Sequence, residues 1–369
     1  MLKKFSVKNY KSFKDELIID FSDYKDYKYN LHAIDNNLIS TAVIYGKNSS
    51  GKTNLGYAIF DITLHLVDKE QVAEQHTNYL NANSDENFAT FSYTFLFDND
   101  EVVYKYRKQS SKKLIYEELY VNNNKVFSYN FLDRKNDFSN LAAIQADTLN
   151  FGFKDMNLSI VRYIANNSNL DKNSIIHKFM KFVSHMLWFR SIGINNYIGY
   201  YKGVEQLMDQ IIKNGSVTKF EKFLKDCGIT HDLVVGKDLF SNDILAVKFN
   251  HKVIPFWEIA SNGTQALTLY FYWSQKFNDI SFLFIDEFDA FYHTELAEFM
   301  IKEISQKKEF QTVLTTHNTA LMSNRFLRPD CYFILSSNKL YSLTKCTEKE
   351  LREGHNLEKM YRNGEFVES

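Results

Sequence analysis

Proline is nearly missing from this chain, with only Pro255 and Pro329 among 369 residues. No Pro/Gly/Ser-rich stretch, repeat or low-complexity tract marks a linker, so one large discontinuous domain or two ordinary ones with soft limits are expected. Cysteine is scarce as well. Cys227, Cys331 and Cys346 show neither CxxC nor Cys/His ligand spacing, which leaves a disulfide framework and a zinc site unsupported and fits a reducing, cytoplasmic setting. No apolar run approaches the ~20 residues that cross a bilayer, and Met1-Leu2-Lys3-Lys4 leads straight into an alternating strand pattern. A soluble chain with no signal peptide and no membrane partner is therefore expected. Nor does one sign of charge dominate: 44 basic against 45 acidic residues leave a net charge of -1, so nucleic-acid binding is not implied by the charge and would have to be local. Aromatic residues are abundant, with 32 Phe and 23 Tyr in a chain that is 44% hydrophobic. That composition argues for a packed globular protein and against disorder.

Apolar periodicity divides the chain into three parts. Residues 1–150 begin with two short strands, Phe5 to Tyr10 and Leu17 to Phe21. A buried strand over Ile39 to Tyr45 follows, then a glycine turn and a helix carrying Leu55, Ile59, Ile62 and Leu66 on one face. Alternation from Phe91 to Phe127, with turn residues at Asp98-Asn99-Asp100, predicts an antiparallel meander. Residues 151–229 change to helical spacing, with Ile176, Phe179, Phe182 and Met186 as one stripe and Phe220, Phe223 and Leu224 as another, and read as a helical insertion. Residues 230–369 alternate strands (Ile244 to Asn250, Ser281 to Ile285, Thr312 to Thr316, Tyr332 to Leu335) with helices (Thr264 to Trp273, Glu295 to Ile304). An α/β fold with a mixed or parallel sheet, an antiparallel β lobe and a helical insertion is predicted.

Four segments carry chemistry. Gly46-Lys47-Asn48-Ser49-Ser50-Gly51-Lys52-Thr53 satisfies the P-loop pattern GxxxxGK[ST]. Its glycines let the backbone curl around phosphates, and the following helix, opened by Lys52, Thr53 and Asn54, turns its positive end the same way. Lys52 is placed to neutralise the terminal phosphates of ATP, and the Thr53 hydroxyl to ligate Mg²⁺. Phe282-Leu283-Phe284-Ile285-Asp286-Glu287 is an apolar strand ending in adjacent carboxylates. Neighbouring side chains on a strand diverge, so Asp286 can serve the metal while Glu287 polarises a water. Alone, such an ending is more often a solvated edge; a P-loop upstream reverses that reading. Ser261-Asn262-Gly263-Thr264-Gln265 stands at a helix N-terminus, where the local reading is an N-cap. Thr315-Thr316-His317 ends the next strand and offers an imidazole to the γ-phosphate or to the attacking water.

The order P-loop, Ser261 to Gln265, Asp286-Glu287, Asp289, His317 resembles that of ABC-type ATPases. The resemblance implies that Ser261 to Gln265 act in trans as a signature loop reaching the γ-phosphate held by a second copy. It also implies a D-loop at Asp289, a switch role for His317, ATP and Mg²⁺ as ligands, and a homodimer or higher oligomer. Asn9-Tyr10-Lys11-Ser12-Phe13-Lys14 resembles the opening of RecF, SMC-like and OLD-like ATPases, where the basic residue and Ser lie near the nucleotide, which carries over to Lys11 and Ser12. The ending Arg352 to Tyr361 is similar to the tail of stand-alone ATPases found with antiphage-defence genes, such as the AriA-like subunits of PARIS and the PtuA-like subunits of Septu and retrons. That likeness implies an abortive-infection ATPase acting with a separately encoded nuclease or toxin. A RecF-like DNA-binding protein is the alternative, with Tyr104 to Lys113 as its basic stretch.

Three features depart from those families. No Q-loop glutamine can be assigned. Long heptads are lacking, which excludes an extended coiled coil. The stretch after His317 is shorter than an ordinary domain, so no Toprim nuclease is expected there.

Overall fold

The computed structural model describes residues 1–69, 73–151, 158–191, 197–200, 207–238 and 240–366. Two large sheets share one apolar core. The central sheet has the strand order Tyr197–Gly199, Met186–Arg190, Phe282–Asp286, Gln311–Thr316, Thr41–Tyr45, Tyr332–Ser336, Lys339–Ser342. Its inner five strands are parallel and its two edges antiparallel. Strands such as Thr41–Tyr45 and Phe282–Asp286 are buried at every position, as a sheet covered on both faces requires.

The second sheet is antiparallel throughout. It runs Asn136–Asp137, Asn124–Asn130, Lys113–Val121, Asp100–Ser110, Ala89–Phe97, Leu2–Lys8, Leu17–Asp20. Ala89–Phe97 alternates perfectly between buried and half-buried positions, and Phe91, Tyr93 and Phe95 enter the core. Gln311 joins the two sheets: its side-chain oxygen accepts from Leu2 N at 3.0 Å, and its amide donates to Leu2 O and Ile39 O at 3.0 and 2.9 Å.

A small three-stranded sheet, Leu233–Lys237, Asp243–Lys248 and Val253–Pro255, packs with the helices Val217–Asp226 and Asn262–Ser274 around Phe220, Leu245, Phe256 and Phe271. No helix among the described residues is long and apolar enough to cross a membrane.

The predicted mixed α/β architecture with its antiparallel sheet is present. Two local readings change. Met186 does not extend a helical stripe; Met186–Arg190 is a strand of the central sheet, pairing in parallel with Phe282–Asp286. Residues 151–229 are thus helical only in part, because five residues of apolar sequence between helices satisfy either period. The single helix expected over Leu55 to Leu66 is two, Lys52–Phe60 and Ile62–Leu66, divided at Asp61. Asp61 is buried and accepts from Tyr79, Tyr106 and Lys108 at 2.8, 2.9 and 2.7 Å. Within the basic stretch Tyr104 to Lys113, three cations have partners inside the chain. Lys108 is fully buried in its ion pair with Asp61, Lys105 faces Glu118, and Arg107 lies against the Phe88 and Tyr116 rings.

Candidate nucleotide site

The loop from Gly46 to Gly51 leaves the end of Thr41–Tyr45 and delivers the chain into the helix Lys52–Phe60. Two of its residues are left-handed, Ser49 at φ 63° and Gly51 at φ 101°, and such turns make the concave run of backbone N–H groups that anions favour. Gly46 is required by space: a Cβ there would lie 2.9 Å from Leu335 O. Lys47, Asn48 and Ser49 are exposed at the tip, whereas Lys52 is buried.

Lys52 is the hub of the loop. Its ammonium donates to Gly46 O at 2.8 Å and Lys47 O at 3.2 Å and meets His317 Nδ1 at 3.1 Å. His317 Nε2 lies 3.3 Å from Glu287 Oε1. His317 Nδ1 also lies 2.9 Å from Gly46 O; that contact needs a proton on Nδ1, whereas accepting from the ammonium needs Nδ1 bare, so the contacts belong to different protonation patterns of the ring. Burial lowers the pKa of Lys52, opposed by the nearby Glu287 and Asp286.

Asp286 is fully buried. Its Oδ2 accepts from Thr53 Oγ1 at 2.7 Å and its Oδ1 from Thr315 Oγ1 at 2.7 Å. Burial raises its pKa, against the pull of those two hydroxyls and of Arg190. Glu287 follows with φ 49°, a left-handed turn that aims its side chain away from Asp286 and toward His317. Its backbone N–H donates to Thr315 Oγ1 at 2.8 Å.

These residues suit a triphosphate with a hard cation. Thr53 and Asp286 present oxygen donors, which Mg²⁺ prefers. Ser50 Oγ is buried in the loop without a hydrogen-bond partner, a donor that a phosphate oxygen would satisfy.

Among the remaining predicted residues, Asn54 donates to Ser12 Oγ at 3.0 Å, which ties the Asn9–Lys14 turn to the loop helix. Lys11 is left-handed at φ 48° and donates to Glu74 O and Thr77 O, both at 2.7 Å, rather than into the loop. Asp289 is half-buried, and its carboxyl pKa is raised by burial against hydrogen bonds from Thr316 and Asn318.

Ser261 caps the helix Asn262–Ser274, accepting from Thr264 N at 3.2 Å. Ser261 and Asn262 are exposed, and Gln265 donates to Ala260 O at 3.1 Å. Among the described residues, no hydrogen bond joins Ser261 to Gln265 with the loop at 46–53. A Cβ on Gly263 would lie 3.0 Å from Phe291 O, so this turn packs closely on the segment after Asp289.

Two residues of this cluster are not singled out by the sequence. Thr315 was visible beside His317 but had no assigned role. Arg190 ends the strand next to Phe282–Asp286, in register with Asp286, and reaches Asp286 Oδ2 at 3.4 Å and Glu287 Oε2 at 3.5 Å. Only the pairing of those strands reveals it.

A protein-family model described as "AAA domain, putative AbiEii toxin, Type IV TA system" matches residues 42–323, from the strand before the loop to the segment after His317. The chain belongs to this AAA family. No curated protein matches this AAA chain in sequence. Among solved structures, an SMC head bound to the C-terminal winged-helix domain of ScpA shares 17% identity at a TM-score of 0.46, covering 94% of this chain and 99% of that one. The SMC head domain from Thermotoga maritima shares 15% at 0.40, covering 90% and 94%. The recombination mediator RecF-ATPrS of the RecFOR pathway shares 14% at 0.39, covering 93% and 98%.

Proposed function

We propose that this AAA chain binds ATP with Mg²⁺ and hydrolyses it as an ABC-type ATPase, two copies closing on the nucleotide. We further propose that it works in the cytoplasm as the ATPase subunit of an abortive-infection complex that controls a separately encoded nuclease or toxin. The observation that carries the ATPase reading is the convergence of Lys52, Thr53, Asp286, Glu287 and His317 into one hydrogen-bonded cluster, drawn from three adjacent strand ends. The AbiEii wording of the family and the Arg352 to Tyr361 tail support the defence reading.

In this mechanism Lys52 turns from its own loop carbonyls to the phosphates. Thr53 and Asp286 would hold the metal, which would supply neutralising charge to the phosphate oxygens. Glu287 accepts a proton from the attacking water, and His317, whose Nε2 lies 3.3 Å from Glu287 Oε1, fixes the orientation of that carboxylate. Ser261 and Gly263 of a second copy complete the enclosure. Contacts made to both copies by the triphosphate and lost by the diphosphate make closure depend on nucleotide state.

Glu287→Gln tests the proposal. It removes the base, with an expected loss of hydrolysis of roughly 10²–10⁴-fold, and should accumulate ATP-bound dimers measurable by light scattering. An unchanged hydrolysis rate, or an oligomer size indifferent to ATP, counts against it.

A further inference from the structure

Arg190 is held by its backbone and loosely placed by its side chain. Ser191 N donates to Asp286 O at 3.1 Å and Ser191 Oγ to Phe288 O at 3.3 Å, fixing the strand end against the acidic turn. The guanidinium, by contrast, sends one nitrogen to each carboxylate, at 3.4 and 3.5 Å. Charge-assisted N–H···O bonds close to about 2.7–2.9 Å, often as a two-pronged fork; neither contact here is of that kind. Arg190 Nε is buried without an aligned acceptor. The side chain as a whole keeps 33% of its surface exposed and borders a cleft shared with Lys11, Ser12, Thr53, Asn54 and Tyr57.

The oxygen it touches matters. Asp286 Oδ1 is committed to Thr315, and Oδ2 is the oxygen turned to the Thr53 hydroxyl. Thr53 and Asp286 Oδ2 are the pair a divalent cation would need, and the guanidinium stands on that oxygen. A guanidinium stays charged at any physiological pH and is weakly hydrated. It can therefore balance a buried carboxylate, then swing into the adjacent cleft without losing its proton.

We propose that Arg190 is a resident counter-ion that competes with the divalent cation for Asp286 Oδ2 and yields when metal and nucleotide arrive together. It thereby sets the metal concentration at which the chain accepts nucleotide. The inference rests on the reading of residues 46–53 and Asp286 as an Mg²⁺–ATP site. A metal ion alone gains little by replacing a cation already in place, whereas the metal–nucleotide pair adds the contacts of the loop. Arg190 is on this account a positioning residue of the acidic pair.

The test uses the full chain, MgCl₂ titrated at a fixed concentration of a fluorescent non-hydrolysable ATP analogue, and the variants Arg190→Gln and Arg190→Lys. Arg190→Gln should lower the Mg²⁺ half-saturation by roughly tenfold, the scale on which outer-shell changes act at metal sites. Arg190→Lys, which keeps the charge, should stay near the wild type. An unchanged or raised half-saturation in Arg190→Gln overturns the proposal, because a merely structural role would weaken binding. Should that variant not fold, melting of the wild type decides: MgCl₂ without nucleotide is expected to leave the midpoint unmoved, and stabilisation by the metal alone overturns the competition. Failure of the wild type to bind the analogue at any Mg²⁺ concentration removes the nucleotide reading itself. Normal wild-type binding with no effect of Arg190→Gln removes only the counter-ion.

Discussion

The Thr53 hydroxyl donates to Asp286 Oδ2 at 2.7 Å, joining residues 233 positions apart in sequence. This bond places the first turn of the loop helix against the acidic strand, where the proposed Mg²⁺ would bind. Asp286→Asn keeps the shape of the side chain and an oxygen for one hydroxyl while removing the charge. The variant is expected to fold and to lose Mg²⁺-dependent nucleotide affinity by more than about tenfold, measured by calorimetry with and without the metal.

Ser261 is a helix cap in its own chain and, on the proposed function, a phosphate ligand in another. Ser261→Asp separates the two roles, because Asp caps a helix as well as Ser does but brings negative charge toward a triphosphate. Melting temperature and nucleotide binding by the single chain should be near wild type. Dimer formed in ATP should be lost in analytical ultracentrifugation; a dimer of wild-type strength would remove the trans contact.

Lys11 predicts an unusual alkaline branch in stability. Burial lowers its pKa from the ordinary 10.5 to about 8, against the nearby Asp61 and Glu74. The folded chain therefore releases this proton near pH 8, while the unfolded chain holds it to 10.5. Unfolding takes up a proton between those values, so the contribution of Lys11 to stability rises with pH across that window. Subtracting the melting curves of Lys11→Met from those of the wild type between pH 7.5 and 10.5 should isolate the rise. A flat difference contradicts the assignment.

Lys108 and Asp61 form a buried ion pair at 2.7 Å, each side chain 1% exposed. Removing one partner strands the other charge, so Lys108→Met should cost about 3–5 kcal/mol in urea unfolding. Adding Asp61→Asn should recover part of that loss, since the amide retains hydrogen bonds for Tyr79 and Tyr106 without an unpaired charge.

The legible part of the site was local in sequence. Gly46 to Thr53 carries its own turn chemistry, and Phe282 to Glu287 couples an apolar strand to its carboxylates within six residues. Arg190 was illegible for the opposite reason. Its role depends on which strand Met186–Arg190 pairs with, and Met-Leu-Trp-Phe-Arg continues the preceding helical stripe well enough to hide the strand. Lys108 reads as one of several surface cations until the alternation of Asp100–Ser110 is set against Asp61, 47 residues away.

Thr315 ties the Asp286 carboxylate to the main chain of Glu287 through one hydroxyl. One hydroxyl receives the Glu287 amide proton at 2.8 Å and gives its own to Asp286 at 2.7 Å. The strand carrying it, Gln311–Thr316, lies between the loop strand and the acidic strand. Rotation of that one side chain would free the Asp286 carboxylate and the Glu287 main chain together, while the Glu287 carboxylate would still be held by His317 and Arg190.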